Sequence, residues 1–226
     1  MQFYPIEHHS WVAIDIHHNL GEQATLLTHK IRLTHKAAST NKAASAYKTG
    51  SMYCRQLLKK LQQALNLTGE LMDANFPYHF ITADGYTWYV SFSHSRQHAA
   101  VLISPYTNIG VDVEDSAISH QVASRFFSPH EYQWLNQKPA VNQVILRNLL
   151  WRLKECSIKT HQNADKQLIK ELKHDVLDEL GEEVINQLIG VNEINAKGKP
   201  IQCVQTDAKI VGNFSSKPCS FIIVNR

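Results

Sequence analysis

Hydrophobic and polar positions change period several times along this chain. Residues 11–16, Trp-Val-Ala-Ile-Asp-Ile, alternate enough to predict a strand. Residues 36–67 are rich in Ala, Lys, Gln and Leu and predict mainly helix. In its later part Tyr53, Leu57, Leu61 and Leu65 recur at four-residue steps, an apolar stripe opposite a solvated Lys/Gln face. Residues 76–82 and 86–92 have strand character, with Asp84-Gly85 between them as a hairpin turn. Residues 98–104 and 108–114 predict two further strands, separated by Pro105.

Beyond Asp115 helix dominates. Residues 118–127 predict one helix. Ser128-Pro129-His130-Glu131 predicts the start of another: Ser as N-cap, Pro at the first helical position, Glu three residues after the cap. Residues 142–160 predict a long helix. Residues 165–189 predict an amphipathic helix or helix pair, with Leu168, Leu172, Val176, Leu180, Val184 and Leu188 four apart and Gly181 placed to bend or split it. Residues 201–204 and 220–224 predict short strands, with Gly212-Asn213 and Lys217-Pro218 between them as turns. No repeat by residue identity is visible, yet each half reads as helix plus strands of similar size, a hint of two similar lobes meeting near Pro105.

Composition narrows the class. A chain of 226 residues with 43% hydrophobic content can build a packed core, as one large domain or two small ones. No apolar run approaches the roughly 20 residues of a membrane span. The N-terminus, Met1-Gln2-Phe3-Tyr4-Pro5-Ile6, has neither a basic nor an apolar leader segment. The expectation is a cytoplasmic protein that engages no membrane. Cys54, Cys156, Cys203 and Cys219 have no Cys-x-x-Cys spacing and predict free thiols. A net charge of +3 is too mild for a nucleic-acid domain, but it suits a small anionic ligand or an acidic protein partner. The thirteen histidines read mostly as surface or loop residues.

The candidate chemistry lies in three short segments. In Asn108-Ile109-Gly110-Val111-Asp112-Val113-Glu114-Asp115, Asp112 and Glu114 are two apart and leave the same strand face. In Trp151-Arg152-Leu153-Lys154-Glu155-Cys156-Ser157-Ile158-Lys159, Trp151, Glu155 and Lys159 stack on one helical face. Phe92-Ser93-His94-Ser95 ends a strand with two hydroxyls and an imidazole, donors that suit a phosphate. Each has an ordinary reading: a solvated strand face or a helix cap, an i,i+4 salt bridge, a polar turn. Together they offer three oxygen ligands beside one cation, the requirement for holding Mg²⁺ against a phosphate. Trp151 and Cys156 read as packing residues.

In this order, the three segments resemble the 4'-phosphopantetheinyl transferase superfamily, and most closely its surfactin-synthetase-activating type. That family carries a Ser-His-Ser turn, a Gly-x-Asp-x-Glu strand and, about 40 residues later, a Trp-x-x-Lys-Glu-x-x-x-Lys helix. The intervening segment 122–132 is similar as well, and the resemblance is specific from about residue 88 to 160.

The resemblance implies an α+β fold of two similar lobes with the active site in the cleft between them. Residues 1–105 would contact the nucleotide end of coenzyme A, and residues 106–226 would carry the metal and catalytic residues. Asp112, Glu114 and Glu155 would ligate Mg²⁺, with Mn²⁺ equally suited to oxygen ligands. Lys159 would stabilise phosphate charge, with Lys154 also near the phosphates. Ser93 and His94 would contact the nucleotide end of coenzyme A, at its 3'-phosphate. The phosphopantetheine arm would pass to a serine of an apo acyl- or peptidyl-carrier protein, with Glu155 as base, and 3',5'-ADP would leave. A monomer that binds no nucleic acid is implied. Other readings of the same carboxylates are a different Mg²⁺-dependent phosphoryl transferase or phosphohydrolase, and a non-catalytic scaffold that holds coenzyme A or a carrier.

The sequence departs from the family in four places. The usual Gly-Lys-Pro before the Ser-His-Ser turn is Asn75-Phe76-Pro77-Tyr78-His79. Lysines Lys42 and Lys48, with Arg55, stand where arginines usually meet the nucleotide. Arg152 replaces a small hydroxyl residue. The glycine-rich stretch after Lys159 is missing.

Overall fold

A computed structural model gives the fold and describes residues 1–6, 10–16, 42–161, 174–194, 201–214 and 217–224; for residues 16, 42–49 and 190–194 it describes backbone alone. Two antiparallel sheets form in chain order. The first comprises β1 (Gln2–Ile6), β2 (Ser10–Ile16), β3 (His79–Ile81), β4 (Thr87–His94) and β5 (His98–Ser104), ordered β1-β2-β5-β4-β3. The second comprises β6 (Asn108–Val113), β7 (Ile201–Gln205), β8 (Lys209–Phe214) and β9 (Cys219–Val224), ordered β6-β9-β8-β7. Helix α1 (Lys42–Ala64) accompanies the first sheet. Helices α2 (His120–Phe126), α3 (Pro129–Asn136), α4 (Ala140–His161), α5 (Val176–Leu180) and α6 (Glu182–Ile194) lie between β6 and β7 in sequence.

The period-2 rule explains how the layers stack. Along β5, Ala99, Val101 and Ile103 face Cys54, Leu57, Leu58 and Leu61 of α1. The alternate residues Ala100 and Leu102 face the second sheet, in a core shared with Val12, Ile14, Val111, Phe221 and Ile223. Every residue of β5 is therefore buried. The far side of the second sheet, through Val211 and Ile222, packs on Leu149, Leu150, Leu153 and Cys156 of α4 and on α5 and α6. The layers run helix, sheet, sheet, helices.

The capping box expected at Ser128 forms in full: Glu131 N–H donates to the Ser128 hydroxyl, and Ser128 N–H donates to the Glu131 carboxylate. The Asp84-Gly85 turn closes through Thr82 N–H to Tyr86 O, with Gly85 at φ 86°. Gly181, at φ 84°, splits α5 from α6, and its N–H donates to Leu177 O. The part of that predicted helix at residues 165–173, and residues 36–41 of the first predicted helix, lie outside the described residues.

Two expectations need correction, and one strand has no counterpart among the predicted elements. The strand predicted at 76–82 shrinks to His79–Ile81. Strand β1 carries no strong alternation; only Tyr4 and Ile6 are buried, and its edge position tolerates Pro5. The Gly212-Asn213 pair sits in β8 and makes no turn. The Phe221 ring lies over Gly212, where a Cβ would come within 2.1 Å of it. Asn213 is buried and accepts from the Arg152 guanidinium (3.3 Å) and the Ser220 hydroxyl (3.0 Å). The missing side chain thus serves packing here.

The C-terminal end of α4 is clamped by Glu179 of α5. Its nearly buried carboxylate accepts from Ser157 Oγ, from His174 Nε2 at 2.5 Å and from Lys209 Nζ at 2.6 Å. Burial alone would raise its pKa, but the bonds from His174, Lys209 and Ser157 outweigh it and hold the carboxyl at about 2. A depressed folded pKa stabilises fully above the unfolded value near 4.5, and that stability is lost as pH falls towards about 2. Glu179→Gln is expected to cost roughly 3 kcal/mol at pH 7, with the gap to wild type closing on acidification below about pH 4. Urea unfolding at pH 7 and at about pH 3 checks this; a gap of equal size at both would contradict it.

Candidate functional site

The site forms where β4, β6 and α4 converge. Strand β6 is an edge of its sheet, so alternate N–H groups on its open side lack a strand partner. Two serines of β4 supply one. Ser91 Oγ accepts from Val111 N–H (3.1 Å), and Ser93 Oγ accepts from Val113 N–H (3.2 Å). Being two apart, they share a face of β4 and register with residues two apart on β6. This joins the sheets beside the Gly-Val-Asp-Val-Glu run.

Helix α4 crosses β6 on the other side, at Gly110. A Cβ there would lie 2.1 Å from the Cys156 carbonyl oxygen, so only glycine lets the helix backbone reach the strand. This approach brings Glu155 and Lys159, one turn apart on α4, over Asp112. Lys159 Nζ donates to Val111 O at 2.8 Å and to Asp112 Oδ1 at 3.0 Å; Ser93 Oγ donates to the same Oδ1 at 2.9 Å. One carboxylate oxygen thus ties together residues from all three sequence segments.

The electrostatics follow from burial. Burial raises the Glu155 carboxyl above the ordinary range; Lys159 opposes this, while Asp112 and Glu114 add to it. Burial alone would lower the Lys159 ammonium, but Asp112 foremost, with Cys156 and Glu155, outweighs it and the ammonium is held above its usual value. Burial, and secondly Lys159, lowers His94. The imidazole of His94 rests on Gly50 of α1, where a Cβ would come within 2.7 Å of its Nδ1.

A cavity of about 430 Å³ opens on this cluster. Glu155 and Lys159 form one side, Ser93 and His94 another, and Phe76, Tyr78 and Phe92 an aromatic wall. Arg55 of α1 also lines it, bound to Asp73 at 2.6 Å and lying 5.9 Å from the Phe92 ring centre. A cavity with an ammonium, a guanidinium, an imidazole and aromatic faces suits an anionic ligand with a planar ring.

The remaining predicted site residues are placed as follows. Asp112, 6% exposed, lies beneath the cavity. Glu114 follows β6 directly; its N–H donates to Pro218 O and its carboxylate accepts from Ser116 N–H at 2.8 Å. Lys42 and Lys48 belong to the first turns of α1, and their side chains lie outside the described residues.

Lys154 is a correction. It is 0% exposed, paired with Glu131 at 2.9 Å, bonded to His174 O and set 5.9 Å from the Phe127 ring centre. Adjacent residues on a helix point about 100° apart, so Lys154 cannot share the face of Glu155. Its role is to hold α3 against α4. Arg152 is buried and donates to Ser220 Oγ at 3.1 Å and to Asn213, pinning α4 to β8 and β9. Trp151 packs edge-on against Phe126, and burial pushes the Cys156 thiol well up, as expected of packing residues.

Sequence reasoning missed Ser91, whose signal was its spacing of two from Ser93. It also missed Asp115, which accepts from His98, from Ser95 and from Gln97 N–H and so fixes the turn after β4.

Asp112 and Glu114 both act on Glu155 as like charges, and carboxylate oxygens are the donors that a hard divalent cation takes. Their oxygens are not drawn into one ligand cluster. Among the described residues only His130, Asp175 and Asp178 bring three ligand atoms within 4.8 Å of one another, and there Asp175 serves as the N-cap of α5. Among the described residues no helix is long and apolar enough to cross a membrane.

No curated protein matches the chain. Residues 108–199, which contain Asp112, Glu114, Lys154, Glu155 and Lys159, match the model of the 4'-phosphopantetheinyl transferase superfamily.

Proposed function

We propose that this protein is a phosphopantetheinyl transferase of the surfactin-synthetase-activating type. It would move the 4'-phosphopantetheine arm of coenzyme A to a serine of an apo acyl- or peptidyl-carrier protein, acting as a cytoplasmic monomer. The observation that carries the reading is the meeting of Ser93, Asp112 and Lys159 on one oxygen, beneath a cavity that Ser93, Lys159 and Glu155 line and that is able to hold a nucleotide. The family match over residues 108–199 points to the same reaction class.

On this reading residues 1–105 hold the nucleotide end of coenzyme A and residues 106–226 carry the reactive groups. His94 and Arg55 would meet its phosphates and Phe76, Tyr78 or Phe92 its adenine, with Lys42 and Lys48 as further cations. Asp112, Glu114 and Glu155 would hold Mg²⁺ or Mn²⁺, which when bound neutralises pyrophosphate charge. Ser93 serves by orienting Asp112. The carrier serine oxygen attacks the β-phosphorus, and its bond to the bridging oxygen breaks. 3',5'-ADP leaves with the electron pair, and Glu155 takes the serine proton. Burial makes Glu155 a better base than an exposed glutamate. Lys159, held charged by Asp112, stabilises negative charge as it builds on the phosphate.

Release of 3',5'-ADP from coenzyme A is expected to require the apo-carrier and to stop once the carrier is consumed. Chromatographic assay of the nucleotide with and without carrier tests this. Steady turnover without carrier would identify a phosphohydrolase instead.

A further inference from the structure

Ser91 and Ser93 of β4 and Ser95 directly after it occupy every second position and so share one face. They meet residues of the same spacing across the sheets. Ser91 and Ser93 take the N–H groups of Val111 and Val113. Strand β6 ends at Val113, and the third serine meets a side chain instead: Ser95 Oγ donates to Asp115 Oδ2.

Two further groups of the same hairpin close on this carboxylate. Gln97 N–H donates to Oδ2 at 2.6 Å, and His98 Nδ1 pairs with Oδ1. The hairpin is closed by Ser95 N–H to His98 O at 2.8 Å, while His98 N–H donates to Ser95 Oγ at 3.3 Å. His98 shares the face of Ala100 and Leu102 on β5, the face towards the second sheet. The Asp115 side chain is 11% exposed, so water competes little for these bonds.

The hold on Asp115 governs the residue before it. Glu114 lies one residue past β6, where a strand end is free to fray. On one side its N–H donates to Pro218 O at 3.0 Å, which carries the β6–β9 pairing one residue further. On the other, both its neighbours are tied to the first sheet, Val113 by Ser93 and Asp115 by the hairpin. The Glu114 carboxylate is thereby kept where its charge reaches Glu155. Asp115 itself lies outside the cavity lining, so it acts through Glu114.

We infer that Asp115 is a positioning residue: bonded to Ser95, Gln97 and His98 of the first sheet, it fixes where the end of β6 presents Glu114 to the metal and to Glu155. The inference rests on the transferase reading.

The test is calorimetric titration of coenzyme A, in Mg²⁺ and in EDTA, into wild type, Asp115→Ala, Asp115→Asn and Ser95→Ala. Mg²⁺ is expected to tighten binding by wild type. Asp115→Ala should cut that gain roughly tenfold, as loss of a group that orients a metal ligand does, with binding in EDTA within about twofold of wild type. Asparagine keeps an oxygen for Ser95 and Gln97 and turns an NH₂ to a neutral His98 Nδ1, so Asp115→Asn should restore most of the gain. Ser95→Ala removes one of the three donors and should fall between wild type and Asp115→Ala. A merely structural role would lower Tm and leave the Mg²⁺ gain intact. A full gain in Asp115→Ala, or in Ser95→Ala should Asp115→Ala fail to fold, would overturn the positioning role alone. A loss in Asp115→Asn as large as in Asp115→Ala would show that the charge acts directly, and would overturn it too. Wild type that binds no coenzyme A, or gains nothing from Mg²⁺, would overturn the transferase reading and the inference with it.

Discussion

Asp112→Asn is expected to cut transfer by about 10³-fold, about 4 kcal/mol of lost transition-state stabilisation, while leaving the fold in place. The amide keeps the shape of the side chain. Its oxygen can still accept from Ser93 and Lys159, which donate to Asp112 Oδ1 at 2.9 and 3.0 Å. What disappears is the charge. Without it the Lys159 ammonium loses the main influence holding it above its usual pKa, and a divalent ion held as proposed would keep two carboxylates of three. Initial rates and thermal unfolding of the same preparation check this. A rate within about tenfold of wild type would contradict the central place given to Asp112.

Gly110→Ala tests the architecture that brings the parts together. The new methyl would lie 2.1 Å from the carbonyl oxygen of Cys156. That oxygen belongs to helix backbone, flanked by Leu153, Cys156 and Ser157, all buried, so no flexible side chain can yield. Helix and strand must separate, and Glu155 and Lys159 move with the helix. Overpacking of this kind costs about 3 kcal/mol, which for a protein of this size lowers Tm by roughly 6–12 °C. The rate should also fall about 10²-fold well below the new Tm, because displacement of a catalytic group by about 1 Å has that effect. Differential scanning calorimetry with parallel rates checks both. Unchanged Tm and rate would show that the helix does not depend on this contact.

Much of the site was legible because its chemistry is local in sequence. Spacing of two puts residues on one strand face and spacing of four on one helix face, so the Asp112 strand and the Glu155–Lys159 helix could be drawn before any fold was known. Their meeting was suggested only by the order of the motifs, which period cannot supply. Lys154 shows the limit: the family resemblance implied a place near the phosphates, whereas its helical angle sends it to Glu131, 2.9 Å away. Ser91 was missed because its spacing of two from Ser93 marks a shared strand face but does not say that this face meets the edge of another sheet.

The fold divides along similar lines. Helices α1, α3 and α4 and strands β4, β5 and β6 carry strong periodicity or capping signals; the bounds of α4 and the three strands and the described end of α1 fall within a few residues of those predicted, and α3 begins where its cap predicts. Strand β8 was hidden because Gly212 and Asn213 resemble a turn; their reasons, the Phe221 ring and the buried Arg152, are tertiary. The split at Gly181 was foreseen as one of two outcomes, and its positive φ decides it.

The most direct measurement is the intact mass of an apo-carrier protein after incubation with this protein, coenzyme A and Mg²⁺, with a parallel sample in EDTA. The account predicts a gain of one phosphopantetheine that is absent with EDTA. No gain on fatty-acid, polyketide or peptide-synthetase carriers, from protein that binds coenzyme A, would contradict it.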